Sequence, residues 1–98
     1  MTPEGKIKRA ISRVLDKFKG TYIFMPVPGG YGPSSLDYLL CANGHFIAIE
    51  AKAPGKKPTP RQKFIIRQIT QAGGTVFVID DERSPELGTL RSLLEGEK

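Results

Sequence analysis

The sequence predicts an α/β fold in which a mixed central sheet is flanked by helices, in the order α-β-β-β-α-β-α. Three observations carry that expectation. Thr2-Pro3, Thr59-Pro60 and Ser84-Pro85 each set a hydroxyl side chain before a proline, the pairing that caps and opens a helix. Asn43-Gly44 lies between two apolar runs, and both residues accept the positive φ of a two-residue hairpin turn. Thr75 to Ile79 is a short apolar run entered through Gly73-Gly74, as expected of a buried strand reached by a crossover helix. An antiparallel hairpin and a parallel crossover in one chain make the sheet mixed.

In chain order, the first helix starts at the Thr2 cap and turns Ile7, Ile11, Val14, Leu15 and Phe18 to one face before Gly20 ends it. Tyr22 to Met25 is the first extended segment, followed by a turn-rich stretch from Pro26 to Ser34. The hairpin around Asn43-Gly44 supplies two strands. Ala53 to Pro58, holding Gly55, Lys56 and Lys57, reads as a linker. The second helix directs Ile65, Ile66, Ile69 and Ala72 inward, and the third carries a stripe of Leu87, Leu90 and Leu94.

Ninety-eight residues suffice for one core, so residues 1–98 are expected to form a single domain. No apolar run approaches the roughly 18 residues of a membrane span, and no basic segment leads into a signal-like apolar stretch, which points to the cytoplasm. One cysteine cannot close an internal disulfide, and one histidine beside it makes no zinc site of the Cys/His type. Cys41 is expected to pack, and His45 to pack or face solvent. The net charge of +5 is regional: residues 1–67 hold twelve Lys/Arg against four acids, residues 68–98 three against six. Such a field suits a polyanion, although a lysine-rich face also serves solubility.

With Asn43 and Gly44 at the centre of the turn, Ala42 faces His45, Leu40 faces Ile47, and Asp37 faces Glu50. Opposed residues project to the same side, so two carboxylates meet with Cβ atoms roughly 4.5–5.5 Å apart, at the open end of a surface formed by Leu39, Cys41, Phe46 and Ala48. Like charges so placed repel and call for a cation. A hard divalent ion such as Mg2+ takes one or two carboxylates plus water and phosphate. Lys52, two residues past Glu50, shares their face. Two acids, a metal and an ammonium together can orient and activate a water and stabilise the charge of a pentavalent phosphorane. The same three side chains would also form a surface ion-pair cluster worth under about 1 kcal/mol. Glu4 heads the inward face of the first helix, as a further acid for the site or as an acid favourable to the helix dipole. Gln62 heads the inward face of the second helix, as a holder of Lys52 or a water or as a simple cap. Lys56, Lys57, Arg61, Lys63 and Arg67 surround the start of that helix and suit DNA phosphates; Lys6, Arg9, Arg13 and Lys17 form a second stripe that reads equally as a solvated face. Asp80-Asp81-Glu82 reads as a loop after a buried strand, with a second metal site as the alternative.

Asp37 followed by Glu50-Ala51-Lys52 resembles the PD-(D/E)XK nuclease signature, in which a hairpin supplies an Asp and then Glu-X-Lys. The order of features over residues 4–80 is similar to the virus-type replication-repair nuclease (VRR-NUC) domain: Glu4 before Ile7, Ile11 and Leu15, a glycine-rich loop, Asp37, Ile49-Glu50-Ala51-Lys52, a proline and lysine loop, Thr59-Pro60-Arg61-Gln62, then Ala72-Gly73-Gly74 before an apolar strand. Leu36 stands where that pattern has a proline before the Asp, with Pro33 earlier. The resemblance implies a restriction-endonuclease-like fold and a stand-alone, phage-like nuclease in the host-cell cytoplasm. It implies metal ligation by Glu4, Asp37, Glu50 and the Ala51 backbone carbonyl, and service of the attacking water by Lys52 and Gln62. Magnesium is the implied cofactor, with Mn2+ as a substitute, and branched DNA the implied substrate. A four-way (Holliday) junction resolved by a homodimer is the leading form, because two coordinated cuts suit a two-fold axis; Phe64, Leu93, Tyr22 and Phe24 are candidate surplus apolar side chains for that interface, with a place in the core as the alternative for each. A flap-specific nuclease and a non-catalytic DNA-binding subunit of the same fold are the alternatives.

Overall fold

The computed structural model describes residues 1–27 and 35–96. Its elements follow the expected order: α1 (Pro3–Leu15), β1 (Tyr22–Phe24), β2 (Tyr38–Ala42), β3 (His45–Ala51), α2 (Pro60–Gln71), β4 (Thr75–Ile79) and α3 (Pro85–Leu94). Each helix opens at its hydroxyl cap. Thr2 Oγ1 accepts the Gly5 N–H at 2.9 Å, and Ser84 Oγ accepts that of Glu86 at 3.3 Å. Thr59 and Gln62 form a reciprocal capping box, each side chain accepting the other's backbone N–H.

The strands lie in the order β1-β2-β3-β4, antiparallel for the first two pairings and parallel for β3 with β4. Asn43 and Gly44 have φ of 52° and 80°, the left-handed pair a type I′ turn requires, and the register runs from Ala42 with His45 to Tyr38 with Ile49. The hairpin therefore pairs as the turn chemistry dictates. The Asn43 side chain also donates to the Leu93 and Leu94 carbonyls, at 3.0 and 2.9 Å, and so satisfies the end of α3.

Strand alternation sorts the core into two layers. On one face Tyr38, Leu40, Ala42, Ile47, Ile49, Phe77 and Ile79 pack with the inward sides of α1 and α3. On the other, Ala48 packs with Leu36 and Ile65, flanked by Leu39, Ile66, Ile69 and Val76. Fully burying each large aliphatic side chain stabilises the fold by about 1.5–3 kcal/mol, which makes the first layer, richer in buried residues, the dominant one. Four expectations are corrected. α1 ends at Leu15 with Asp16 as its C-cap, so Phe18 lies past the helix and Gly20 does not end it. Ala72 is exposed at the C-cap of α2, and Met25 lies beyond β1. Leu93 takes the core alternative, packing against the first core layer. Cys41 is exposed, because α2 covers the β3 and β4 side of its face and does not reach it. The turn-rich stretch from Pro26 to Ser34, with Pro33, lies outside the described residues from 28 onward.

Candidate active site

Asp37 immediately precedes β2, and one further step of the β2–β3 register sets it against Glu50 near the C-terminal end of β3. The two side chains interlock with the opposite backbone: the Asp37 N–H donates to Glu50 Oε1 at 3.2 Å, and the Ala51 N–H donates to Asp37 Oδ2 at 2.8 Å. Each carboxylate is thus fixed by a donor from the other strand. The opposing arrangement expected from the turn is present.

Two groups converge on the remaining Glu50 oxygen. Gln62 Nε2 donates to Oε2 at 2.6 Å, and Lys52 Nζ lies 3.6 Å from the same atom. The sequence leaves two roles open for Gln62, a cap and a side chain leaning toward the sheet, and it fills both: Oε1 accepts the Thr59 N–H at 2.9 Å while the amide nitrogen reaches Glu50. A carboxylate has no donor, so the amide's two ends divide between the two tasks. The partner that Gln62 holds is Glu50, in place of the expected Lys52. Lys52 follows β3 by one residue, and its N–H continues the parallel ladder to the Ile79 carbonyl at 2.9 Å. That bond keeps the strand extended through Lys52 and turns its side chain to the acids' face, where it is only 13% exposed.

Glu50 is 3% exposed. Its burial, with the Asp37 carboxylate beside it, pushes the carboxyl from an ordinary 4.5 up to about 7, against the lowering pull of the Lys52 ammonium. Burial and the Asp37 charge thus disfavour the Glu50 anion, and the Lys52 ammonium favours it.

Glu4 does not join the pair directly. Its carboxylate meets Lys8 Nζ at 3.5 Å, one helical turn on, and the same ammonium lies 3.9 Å from Asp37 Oδ1. Among the described residues no three His, Cys, Asp or Glu side chains come close enough to form a metal cage, so the expected set of Glu4, Asp37 and Glu50 is not assembled in this arrangement. Lys8 bridges in the place expected of the third acid. Sequence reading misses Lys8; the signal is its i,i+4 spacing from Glu4. Asp80-Asp81-Glu82 follows β4 as a loop, where Asp81 accepts the Arg83 N–H at 2.8 Å.

The donors that remain fit Mg2+ or Mn2+: two hard carboxylates at one end of the central strand pair with the Ala51 carbonyl one residue further, and no soft ligand among them. Lys56, Lys57, Arg61 and Lys63 are all exposed around the start of α2, with the Arg61 guanidinium 5.8 Å from the Phe64 ring centroid. No helix among the described residues is long and apolar enough to cross a membrane. No protein-family model matches the chain, and no curated protein does.

Proposed function

We propose that this chain is a magnesium-dependent endonuclease that hydrolyses phosphodiester bonds in DNA. One observation carries the reading: Glu50, buried and opposed to Asp37, receives Lys52 and Gln62 on a single oxygen. A surface ion-pair cluster would leave its acid in water, whereas here burial and a like charge destabilise the anion unless a cation is added.

Asp37, Glu50 and the Ala51 carbonyl would hold the divalent ion, which when bound supplies neutralising charge at the scissile phosphate. Gln62 fixes Glu50 in its rotamer. Lys52 is placed to orient the attacking water and to balance charge developing on the phosphate oxygens. In the hydrolysis, the water oxygen bonds to phosphorus and gives up a proton to solvent, while the ester bond to one sugar oxygen breaks and that oxygen takes up a proton from solvent. Lys56, Lys57, Arg61 and Lys63 would engage neighbouring phosphates without reading bases.

The similarity to the VRR-NUC pattern directs the reading to branched DNA. The test is incubation with linear duplex, flap and four-way junction DNA, with magnesium and with chelator. Cleavage is expected only with the metal, and Asp37→Ala, Glu50→Ala and Lys52→Ala are each expected to abolish it while leaving metal-free DNA binding intact. Full cleavage by Glu50→Ala would overturn the assignment. The junction-resolving form of the reading requires two copies related by a two-fold axis, which light scattering reads as about twice the 10.8 kDa chain mass. A monomer that cuts flaps and leaves junctions intact would replace it with single-site cleavage.

A further inference from the structure

The face of the sheet that bears Asp37, Glu50 and Lys52 has α2 packed on it around Ala48 and Val76, over β3 and β4, with Leu39 of β2 at the border of that cluster. Among the described residues it is open over β1, β2 and the start of β3, and there Tyr22, Phe24, Leu39, Cys41 and Phe46 line a groove of about 470 Å³. Tyr22 is 70% exposed, Phe24 52% and Phe46 45%, on a chain whose other strand aromatics, Tyr38 and Phe77, are buried. The register orders the exposed rings. Tyr22 stands opposite Cys41, Cys41 opposite Phe46, and Phe24 opposite Leu39, which is two residues from Asp37. The row along β1 therefore leads toward the carboxylate pair, on the pair's own face.

The other flank of the site is closed, because α2 is tied to Glu50 through Gln62. Among the described residues, the groove is the open side and no acidic side chain lines it. On α2, the Arg61 guanidinium lies 5.8 Å from the centroid of the exposed Phe64 ring, a further aromatic and cationic pair outside the groove lining.

We propose that this groove is a stacking platform for the unpaired bases of a DNA single strand whose backbone passes into the Asp37–Glu50–Lys52 site. The proposal rests on the nuclease reading in its flap-cutting form, and specifies the substrate as DNA with a single-stranded arm in place of a four-way junction. Every base has a π face, so aromatic rings on an exposed sheet bind single strands without regard to sequence. Tyr22 and Phe24, two residues apart on an extended strand, present successive rings about 7 Å apart. A base pair inside a duplex offers no free face to such rings. A second copy of the chain seated on the same groove would cover the open side of the site, whereas a single strand uses it.

The test is the anisotropy of a labelled oligothymidine and of a labelled blunt duplex, both in chelator. The Tyr22→Ala/Phe24→Ala double variant is expected to lose tenfold or more of the oligothymidine affinity, with duplex binding and melting temperature unchanged, and Tyr22→Phe to keep wild-type affinity. Unchanged oligothymidine binding by the double variant, or an equal loss on duplex, overturns the platform. So does a wild type of twice the chain mass that the double variant converts to a monomer, since the groove then belongs to a second copy. Failure of the nuclease reading is separate: a wild type that binds oligothymidine through Tyr22 and Phe24 but cuts no DNA with magnesium keeps the platform and loses the chemistry.

Discussion

Glu50 is the one buried charged side chain among the described residues, and its nearest ionisable neighbours pull in opposite directions. Its carboxyl, raised from 4.5 to about 7, binds its proton more tightly in the folded chain than in the unfolded one. The resulting stability is complete below about pH 4.5 and is lost as the pH rises through about 7, a loss on the order of 3 kcal/mol. In chelator, the melting temperature is expected to fall between pH 5 and pH 8. Glu50→Gln, which keeps the shape and cannot ionise, is expected to flatten that fall and to melt above the wild type at pH 8. A wild type and a Glu50→Gln variant with parallel pH profiles would contradict the charge argument. Lys8 adds a second prediction at this scale. Its ammonium lies between Glu4 and Asp37, where it would compete with the proposed divalent ion for an Asp37 oxygen. Lys8→Met is therefore expected to lower the dissociation constant for Mn2+ severalfold by calorimetry, and to free Glu4 to approach the pair. An unchanged constant would remove Lys8 from the metal's seat.

The hairpin is the element that makes the site, and its turn is coupled to a helix distant in sequence. Asn43 both adopts φ of 52° and caps the Leu93 and Leu94 carbonyls of α3. Asn43→Ala loses those bonds and strains the turn, and is expected to destabilise the fold by about 2 kcal/mol; Asn43→Gly keeps the turn and is expected to lose about 1 kcal/mol. Urea midpoints at constant slope measure both, and equal losses would show that the cap alone matters. This coupling marks where the sequence is readable. The turn type, the register it forces, and the meeting of Asp37 with Glu50 follow from two residues and strand alternation, and the three helix starts follow from hydroxyl-proline pairs. The cap from Asn43 to α3, the exposure of Cys41 and the burial of Leu93 do not follow, because each depends on which part of a sheet face a helix covers. The same holds for Glu4: its inward position on α1 is legible, but Lys8 reaches Asp37 across a distance that only the packed helix sets.

At the scale of the whole molecule, two basic stripes stand in different relations to the site. Lys56, Lys57, Arg61 and Lys63 surround the start of α2, the helix packed on the face that carries Asp37 and Glu50. Lys6, Arg9, Arg13 and Lys17 are exposed on or just after α1, whose inward side packs on the opposite face. Both raise the net charge of +5, but only the first group lies beside the route a phosphate backbone would take to the carboxylates. Each Lys or Arg that neutralises a phosphate on duplex DNA releases counterions and steepens the plot of log affinity against log salt by about 0.9. Replacing the α2 group by alanine is therefore expected to weaken duplex binding and flatten that slope by about 0.9 for each phosphate no longer neutralised. Replacing the α1 group lowers the net charge equally and is expected to leave the slope near its wild-type value. The two variants separate direct phosphate pairing from the general field, since the net charge changes by the same amount in both. Equal flattening in the two would assign DNA binding to overall charge and leave the α2 lysines and arginines without a role at the site.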